Sequence, residues 1–328
     1  MNKKYFILPV LILSLVVSFV LSIILGAEKI TLAAVFGQGD RFENIILWNL
    51  RLPRALLVVT TGTVLGGSGA MFQLFFRNPL AEPGIMGISS GATLGAVLAG
   101  VLGLGGIGLH FVSIVNLCAF LGALGAGILV IMLAFSQGGK SSSIMLLLCG
   151  TALGTLYSAI SSMVLLTSGK ELHSIYTWIL GSFNGRGWKE MCFILVPAIF
   201  SVVLMLVTSS SMDLLATGEK TAAALGVEVD RLRVLVLLSG ALAVSCGVCA
   251  GGTIGFVGLI APHIMRSLIG PKAKNLIPYS MIFGAVLLLL ADTLARVIIA
   301  PSEIPAGIIT SILGVPFFLS LCLRKNNF

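Results

Sequence analysis

The stretch PGIMGISSGATLGAVLAGVLGLGGIGLHFVSIVNLCAFLGALGAGILVIMLAFSQGG, residues 83–139, contains no aspartate, glutamate, lysine or arginine. A helix that crosses a bilayer needs about 20 consecutive apolar residues. These 57 residues are therefore long enough for two membrane spans. We place the turn between the two spans near residues 103–110, where glycine is frequent.

Uncharged stretches of the same kind cover most of the 328 residues. The stretch 234–265 is long enough for one span and a second, shorter one, with a break around residues 251–255. The other candidate spans are residues 5–26, 55–76, 141–169, 191–212, 275–291 and 304–323. Ten such spans nearly fill the chain, so the sequence predicts an all-α, polytopic membrane protein, with a single transmembrane domain over residues 1–328.

The overall composition supports this prediction and excludes several classes of protein. The chain is 57% hydrophobic and 10% charged, whereas soluble domains carry about 25% charged residues. The net charge of +8 comes with an excess of lysine and arginine in the loops of one side, which include Lys140 and Lys220. Such loops face the cytoplasm. We therefore expect a cell-membrane protein with both termini in the cytoplasm and no nucleic-acid partner.

Four segments carry more polar residues, prolines or glycines than helix packing alone requires. Irregular backbone at membrane depth is tolerated where it is buried in protein or lines a cavity. Broken helices in both halves of a chain are also typical of inverted repeats around a central pathway. The segments are residues 69–91 with Pro79 and Pro83, the polar stretch 213–233, the glycine-rich stretch 251–266, and residues 292–317.

Sequence motifs for chemistry are almost absent. Gly139-Lys140-Ser141 resembles the end of a nucleotide-binding loop, but the first required glycine is replaced by Ala134. The three histidines are widely scattered, so we expect no metal site, no cofactor and no catalytic residue. Few ionisable residues lie inside the spans, which argues against an ion-coupled secondary transporter, although that class remains the alternative. We therefore expect another chain to supply the energy.

Five motifs, in this order along the chain, resemble the permease subunits of ABC importers for ferric siderophores, haem and vitamin B12, the FecCD type. They are Arg51-Leu-Pro-Arg54; Gln73 with Arg77-Asn-Pro-Leu-Ala-Glu-Pro-Gly84 and Gly87-Ile-Ser-Ser-Gly91; Gly218-Glu-x-x-Ala-x-x-Leu-Gly226; Gly255-Phe-Val-Gly-Leu-Ile-x-Pro-His263; and Pro301-Ser-Glu-x-Pro-x-Gly307 with Gly314-x-Pro316-Phe317.

The resemblance implies the type II permease fold of ABC importers, with about ten helices, and pairing with a second permease subunit, most simply as a homodimer. It also implies two cytoplasmic ATPase subunits and an extracytoplasmic solute-binding protein as partners, with the fifth and tenth spans lining the path. The cargo would be an iron chelate or corrinoid: a ferric siderophore first, then haem, then vitamin B12.

The resemblance assigns roles to three sets of residues. By this resemblance, the binding protein docks on Arg51, Arg54 and Arg296. The residues that couple the permease to the ATPase are Gly218, Glu219, Ala222, Leu225 and Gly226. The residues that form the cytoplasmic gate are Asn78, Leu80, Ser141, Ser142 and Ser143. Two alternatives remain open: the arginines only anchor helix ends, with Arg296 paired to Asp292 four residues away, and residues 217–226 are only a connecting helix.

Overall fold

The computed structural model describes residues 3–26, 28, 39–104, 108–109, 112–135, 143–167 and 172–323. These residues form thirteen α-helices with bounds α1 Lys3–Ile24, α2 Arg41–Ile45, α3 Leu52–Phe75, α4 Ile88–Val101, α5 Ile114–Phe135, α6 Ser143–Thr167, α7 Leu172–Ile179, α8 Trp188–Leu215, α9 Glu219–Ala224, α10 Val229–Gly251, α11 Val257–Ile269, α12 Ala273–Val297 and α13 Ala306–Leu323.

Ten apolar helices of membrane type are present in the described residues, as the sequence predicts. Seven are long and apolar enough to cross a bilayer, and α4, α11 and α13 are shorter apolar helices. The expected break in the stretch 234–265 is confirmed, because α10 ends at Gly251 and α11 begins at Val257.

Two local features differ from the sequence prediction. The span expected at residues 55–76 begins earlier, because a π-helical segment, Ile46–Arg51, joins α2 to α3 without interruption. Trp188 supports this segment by donating a hydrogen bond from its indole Nε1 to the carbonyl oxygen of Trp48 at 3.0 Å. In the turn after α4, β1 (Gly108–Leu109) and β2 (Val112–Ser113) form a small antiparallel pair. Strands of two residues are too short to leave a periodic pattern in the sequence.

Small residues allow the central helices to approach each other closely. A Cβ atom added to Gly66 of α3 would lie only 2.2 Å from the carbonyl oxygen of Ser280 in α12. A Cβ atom on Gly91 of α4 would lie 2.7 Å from the carbonyl oxygen of Gly122 in α5. Helices in a bilayer gain their association energy from such close packing, because lipid tails are as apolar as leucine.

The order of the helices gives the molecule two ends. Arg54, near the start of α3, pairs with Asp292 near the end of α12, and Arg296 pairs with the same carboxylate; we call this the arginine end. At the opposite end, Asp213 near the end of α8 accepts a hydrogen bond from the backbone N–H of Ala273 at the start of α12, at 2.6 Å. We call this the α9 end, because α9 follows α8 directly.

Candidate functional site: the helix breaks and the two ends

The arginine cluster, defined as Arg51, Arg54, Asp292, Arg296 and Glu303, lies at the arginine end. Arg54 bridges two carboxylates, with Nη2 at 2.8 Å from Asp292 Oδ1 and Nη1 at 2.8 Å from Glu303 Oε2. The Asp292 side chain is completely buried. A buried carboxylate requires such a partner, because an uncompensated charge inside the protein is strongly destabilising.

The other two arginines of the cluster hold the end of α1. Arg51 donates from Nη1 to the carbonyl oxygens of Ile23 and Ile24 at 2.7 and 2.6 Å, and from Nη2 to that of Glu28. Arg296 donates from Nη2 to the carbonyl oxygen and the hydroxyl of Ser22, both at 2.9 Å. All three arginines are buried. Their hydrogen bonds and ion pairs hold α1, α3 and α12 together.

The expected pairing of Arg296 with Asp292 is present at an N–O distance of 3.3 Å, but Arg296 Nε lacks the alignment of a hydrogen bond. These contacts fit the helix-anchor interpretation that the sequence left open. They also mean that the guanidinium groups already have acceptors inside the chain. Docking of a binding protein to Arg51, Arg54 and Arg296 stays a prediction.

The predicted coupling residues form one short segment at the α9 end. Glu219–Ala224 is a helix, as the glycine stop at residue 226 suggests, and its Ala222 side chain is fully buried. Gly218 has φ +121° and Gly226 has φ +87°, a region that L-residues avoid. Leu225 is 60% exposed. The segment thus packs on the permease through Ala222 and presents its other side outward.

Arg233 in α10, which sequence reasoning did not single out, holds this segment in place. Its Nη2 lies 2.7 Å from Glu219 Oε1, and its Nη1 lies 2.8 Å from Asp230 Oδ1. The Arg233 side chain is only 8% exposed. The three-residue spacing from Asp230 to Arg233 could have predicted their ion pair from the sequence. The contact of Arg233 with Glu219 could not be predicted, because it depends on the turn between α9 and α10.

The predicted gate residues are only partly described. Asn78 Oδ1 accepts a hydrogen bond from the backbone N–H of Leu80 at 2.9 Å, which closes a local turn. The neighbouring Arg77 donates to the carbonyl oxygen of Leu215 at 2.9 Å and so links this turn to the end of α8. Ser141 and Ser142 lie outside the described residues. Ser143 is the first residue of α6, and its side chain is not described.

The two broken segments of the sequence meet inside the fold. Glu82, in the loop after α3, lies close to the start of α11, because a Cβ atom added to Gly258 would lie 3.7 Å from Glu82 Cγ. Gln73 Nε2 donates to the carbonyl oxygen of Leu259 at 3.2 Å. Glu82 lines a small cavity together with Leu65, which lies in the middle of α3. The loop after α3 therefore turns back between the helices.

A cavity of about 600 Å³ adjoins these breaks. Its lining includes the polar residues Glu82, Ser89, Thr253 and Ser311, together with Gly307. Gly307 and Ser311 belong to α13, one of the two helices that the sequence resemblance places along the path. A cavity of this size is large enough for a small ligand.

Helix α6 carries hydroxyl side chains along one exposed face. Thr151, Thr155, Ser158 and Ser162 follow each other at three- and four-residue spacing and are all exposed. Thr155 and Ser162 donate to backbone carbonyls of their own helix, whereas Ser158 donates to the hydroxyl of Ser90 in α4 at 3.3 Å. Only 17% of the most apolar part of α6 is buried. Hydroxyl groups on such a face are suited to water or to a second chain rather than to lipid.

The described residues combine ten apolar helices, a helix break beside a polar cavity and the short glycine-bounded helix α9 between two spans, which is the architecture of a multi-span membrane permease. The chain belongs to the FecCD transport family, whose model matches residues 14–324. Its relatives are permease subunits of ABC transporters, so the chain is a transport component and not an enzyme.

Two named relatives show the range of the family. The chain is 37% identical to the iron(3+)-hydroxamate import system permease protein FhuG of Bacillus subtilis, over 99% of this chain and 98% of the relative. It is 39% identical to the cobalamin import system permease protein BtuC of Halobacterium salinarum, over 87% of this chain and 75% of the relative.

A solved structure supports the same fold. This protein is similar to a chain of a solved ABC transporter that is described as of the metal-chelate type and in an inward-facing conformation. The two chains superpose with a TM-score of 0.87 and are 34% identical. The match covers 98% of this chain and 99% of that chain. The type II permease fold that the motifs suggest is therefore confirmed, and the comparisons favour an ABC importer over an ion-coupled secondary transporter.

Proposed function

We propose that this protein is a single-domain permease subunit, spanning residues 1–328, of an ATP-driven importer for an iron chelate. A ferric siderophore is the first expected cargo, followed by haem and then vitamin B12. The permease receives the cargo from an extracytoplasmic binding protein, while two separate cytoplasmic ATPase subunits supply the energy. Relatives named for iron(3+)-hydroxamate and for cobalamin support this range of cargo.

The observation that carries the proposal is the exposed hydroxyl face of α6. The four hydroxyl groups donate hydrogen bonds within the chain, but in lipid their oxygens would have no outside donor, because hydrocarbon offers no hydrogen bonds. A second copy of the chain, related by a two-fold axis, would cover α6 and α13 and leave the hydroxyl face and the 600 Å³ cavity along a shared path. A homodimer with a polar central path therefore keeps the hydroxyl face away from lipid and gives the cavity a continuous route across the membrane.

At the two ends, the proposal assigns the partners as follows. The binding protein docks at the arginine end through Arg51, Arg54 and Arg296. The ATPase subunits receive the α9 segment, whose exposed Leu225 and Glu219 face outward. The gate turn at Asn78 and Leu80 follows the movement of α9 because Arg77 connects it to Leu215. With this assignment both termini lie in the cytoplasm of a cell-membrane protein.

A reconstituted importer tests the proposal. The permease, its ATPase and its binding protein are placed in liposomes, and uptake of ⁵⁵Fe-labelled hydroxamate siderophore, ⁵⁵Fe-haem and ⁵⁷Co-cobalamin is measured. We expect uptake of one cargo that requires ATP and the binding protein, and no uptake with an ATPase that cannot hydrolyse ATP. Uptake driven by an ion gradient without ATP would contradict the proposal.

A further inference from the structure

A second cavity, of about 440 Å³, lies at the α9 end and is distinct from the cavity beside the helix breaks. We call it the basic pocket and define it by Gln73, Arg77, Asp213, Arg266 and Lys272. These residues come from the last turns of α3, α8 and α11, from the turn after α3, and from the residue before α12. The pocket is therefore framed by the ends of four helices.

The charge of the pocket is not balanced by the chain. Three cationic side chains, Arg77, Arg266 and Lys272, line it together with one carboxylate, Asp213. That carboxylate already accepts the backbone N–H groups of Ala273 and Lys274, at 2.6 and 3.3 Å, at the start of α12. Among the described residues, none of the three cations forms an ion pair with an acidic side chain.

Arg266 provides the most specific observation. Its Nε and Nη2 atoms are buried, and neither has a hydrogen-bond acceptor among the described residues. A buried donor without an acceptor is costly, more so when it is charged. Because no protein acceptor fixes this guanidinium group, it can turn its two-nitrogen edge toward an anion in the pocket. Two adjacent N–H groups match two oxygens of a phosphate.

Gln73 adds a second unsatisfied group of the opposite kind. Its Nε2 donates to the carbonyl oxygen of Leu259, whereas its buried Oε1 has no donor among the described residues. An anion that also carries a hydroxyl group would supply acceptors to Arg266 and a donor to Gln73. Helix-end charges alone explain basic residues at the ends of α3 and α11, but they do not explain a cavity with unsatisfied groups of both kinds.

We propose that the basic pocket binds the phosphate of an anionic phospholipid headgroup, of which phosphatidylglycerol has both the phosphate and the hydroxyl groups. The pocket lies at the ends of membrane helices, which is the depth of headgroup phosphates. Leu74 of α3 and Ala216 also line the pocket and offer an apolar contact for an acyl chain. Basic pockets between membrane helices on the cytoplasmic side bind anionic lipids in this way.

The test uses the purified full-length permease in neutral detergent. Thermal unfolding is followed while short-chain phosphatidylglycerol, short-chain phosphatidylcholine or inorganic phosphate is titrated. The double variant Arg266→Gln and Lys272→Gln is compared with the wild type. Arg231→Gln is the matched control, because Arg231 lies at the same end but its side chain is 75% exposed and outside the pocket.

We expect phosphatidylglycerol, but not phosphatidylcholine, to raise the unfolding temperature. The double variant weakens the apparent affinity about tenfold or more, because each lost contact is a charge-assisted hydrogen bond, and Arg231→Gln leaves it unchanged. If inorganic phosphate alone raises the unfolding temperature as much as phosphatidylglycerol does, and the double variant abolishes this rise, the pocket is a phosphate site whose ligand is free phosphate from solution and not a lipid.

Equal stabilisation by both lipids, or equal losses in the double variant and the control, would overturn the proposal. Reduced ATPase binding by the double variant, without any lipid effect, would also overturn it and assign the pocket to a protein partner. If the double variant does not fold, Lys272→Gln alone decides the matter, since Lys272 is exposed and its removal leaves the core intact.

Discussion

Arg54 is the residue on which the arginine end depends most. It contacts two carboxylates that lie 238 and 249 positions further along the chain. The sequence suggests the local pair Asp292–Arg296, because four residues span one helical turn. It cannot suggest Arg54 as the main partner of Asp292, since that contact exists only after α3 and α12 have packed together.

We predict that Arg54→Ala destabilises the permease by about 3–5 kcal/mol, because it leaves the buried Asp292 carboxylate without its closest partner. Arg54→Lys should recover only part of this loss, since an ammonium group cannot contact both carboxylates in the same geometry. The midpoint of thermal unfolding in detergent measures the effect. Arg231→Ala is the control, and its exposed pair with Glu228 should contribute less than about 1 kcal/mol. Equal effects of the two alanine variants would contradict the prediction.

A second residue-scale prediction separates docking from anchoring. Glu303 is the more exposed carboxylate bound to Arg54, with 21% of its side chain accessible. If a carboxylate of the binding protein docks on Arg54, it must compete with Glu303, so Glu303→Gln should tighten docking severalfold.

The dissociation constant of the binding protein from the permease in nanodiscs gives the answer, with Glu228→Gln at the other end as the control. An unchanged constant for Glu303→Gln would leave the arginines as helix anchors only. High salt should weaken docking in the wild type, because exposed charges are screened.

The sequence predicts the number and the ends of the helices better than it predicts the contacts between individual residues. Bilayer thickness sets the length of an apolar span, so about ten helices follow from hydropathy, and ten apolar helices are found in the part of the chain that the structure describes. The glycine at position 226 also marks the end of the short helix α9. The π-helical join before α3 and the approach of Glu82 to the start of α11 leave no periodic signal, because both depend on contacts between distant segments.

The α9 segment supports a third prediction. Gly226 has φ +87° and a Cβ atom added to it would have open space around it, so Gly226→Ala meets no clash but strains the backbone by about 1–2 kcal/mol. We expect the segment to change its conformation while the membrane core keeps its unfolding temperature. Stimulation of ATP hydrolysis by loaded binding protein should fall, and Gly226→Trp or Gly218→Trp should reduce transport further.

Gly125 of α5 provides the matched control for this prediction. It has equally open space but no positive φ, so Gly125→Ala should leave ATP hydrolysis and transport unchanged. Full transport by the Gly218 and Gly226 tryptophan variants at normal expression would leave residues 217–226 as a plain connecting helix.

For the molecule as a whole, the two ends must face opposite sides of the membrane. Lys220 lies in α9 and Arg186 just before α8, so the length of α8 separates them. The excess of basic residues in the loops on the Lys220 side predicts that this side is cytoplasmic. In a background without other accessible cysteines, Arg186→Cys should react with an impermeant maleimide in intact cells. Lys220→Cys should react only after permeabilisation, and the reverse pattern would invert the topology.

The assembly of two copies gives the last prediction. In a two-fold symmetric pair, each residue near the axis faces its own counterpart, so the exposed hydroxyl faces of two α6 helices would approach each other. Thr155→Cys, in a chain without other cysteines, should therefore form a covalent dimer in membranes with a short bifunctional maleimide. Val207→Cys is the control, because Val207 is 70% exposed on the apolar face of α8, where lipid is the expected neighbour. A dimer through Val207 but not Thr155 would place the subunit contact on α8, and the hydroxyl face of α6 would then need another partner.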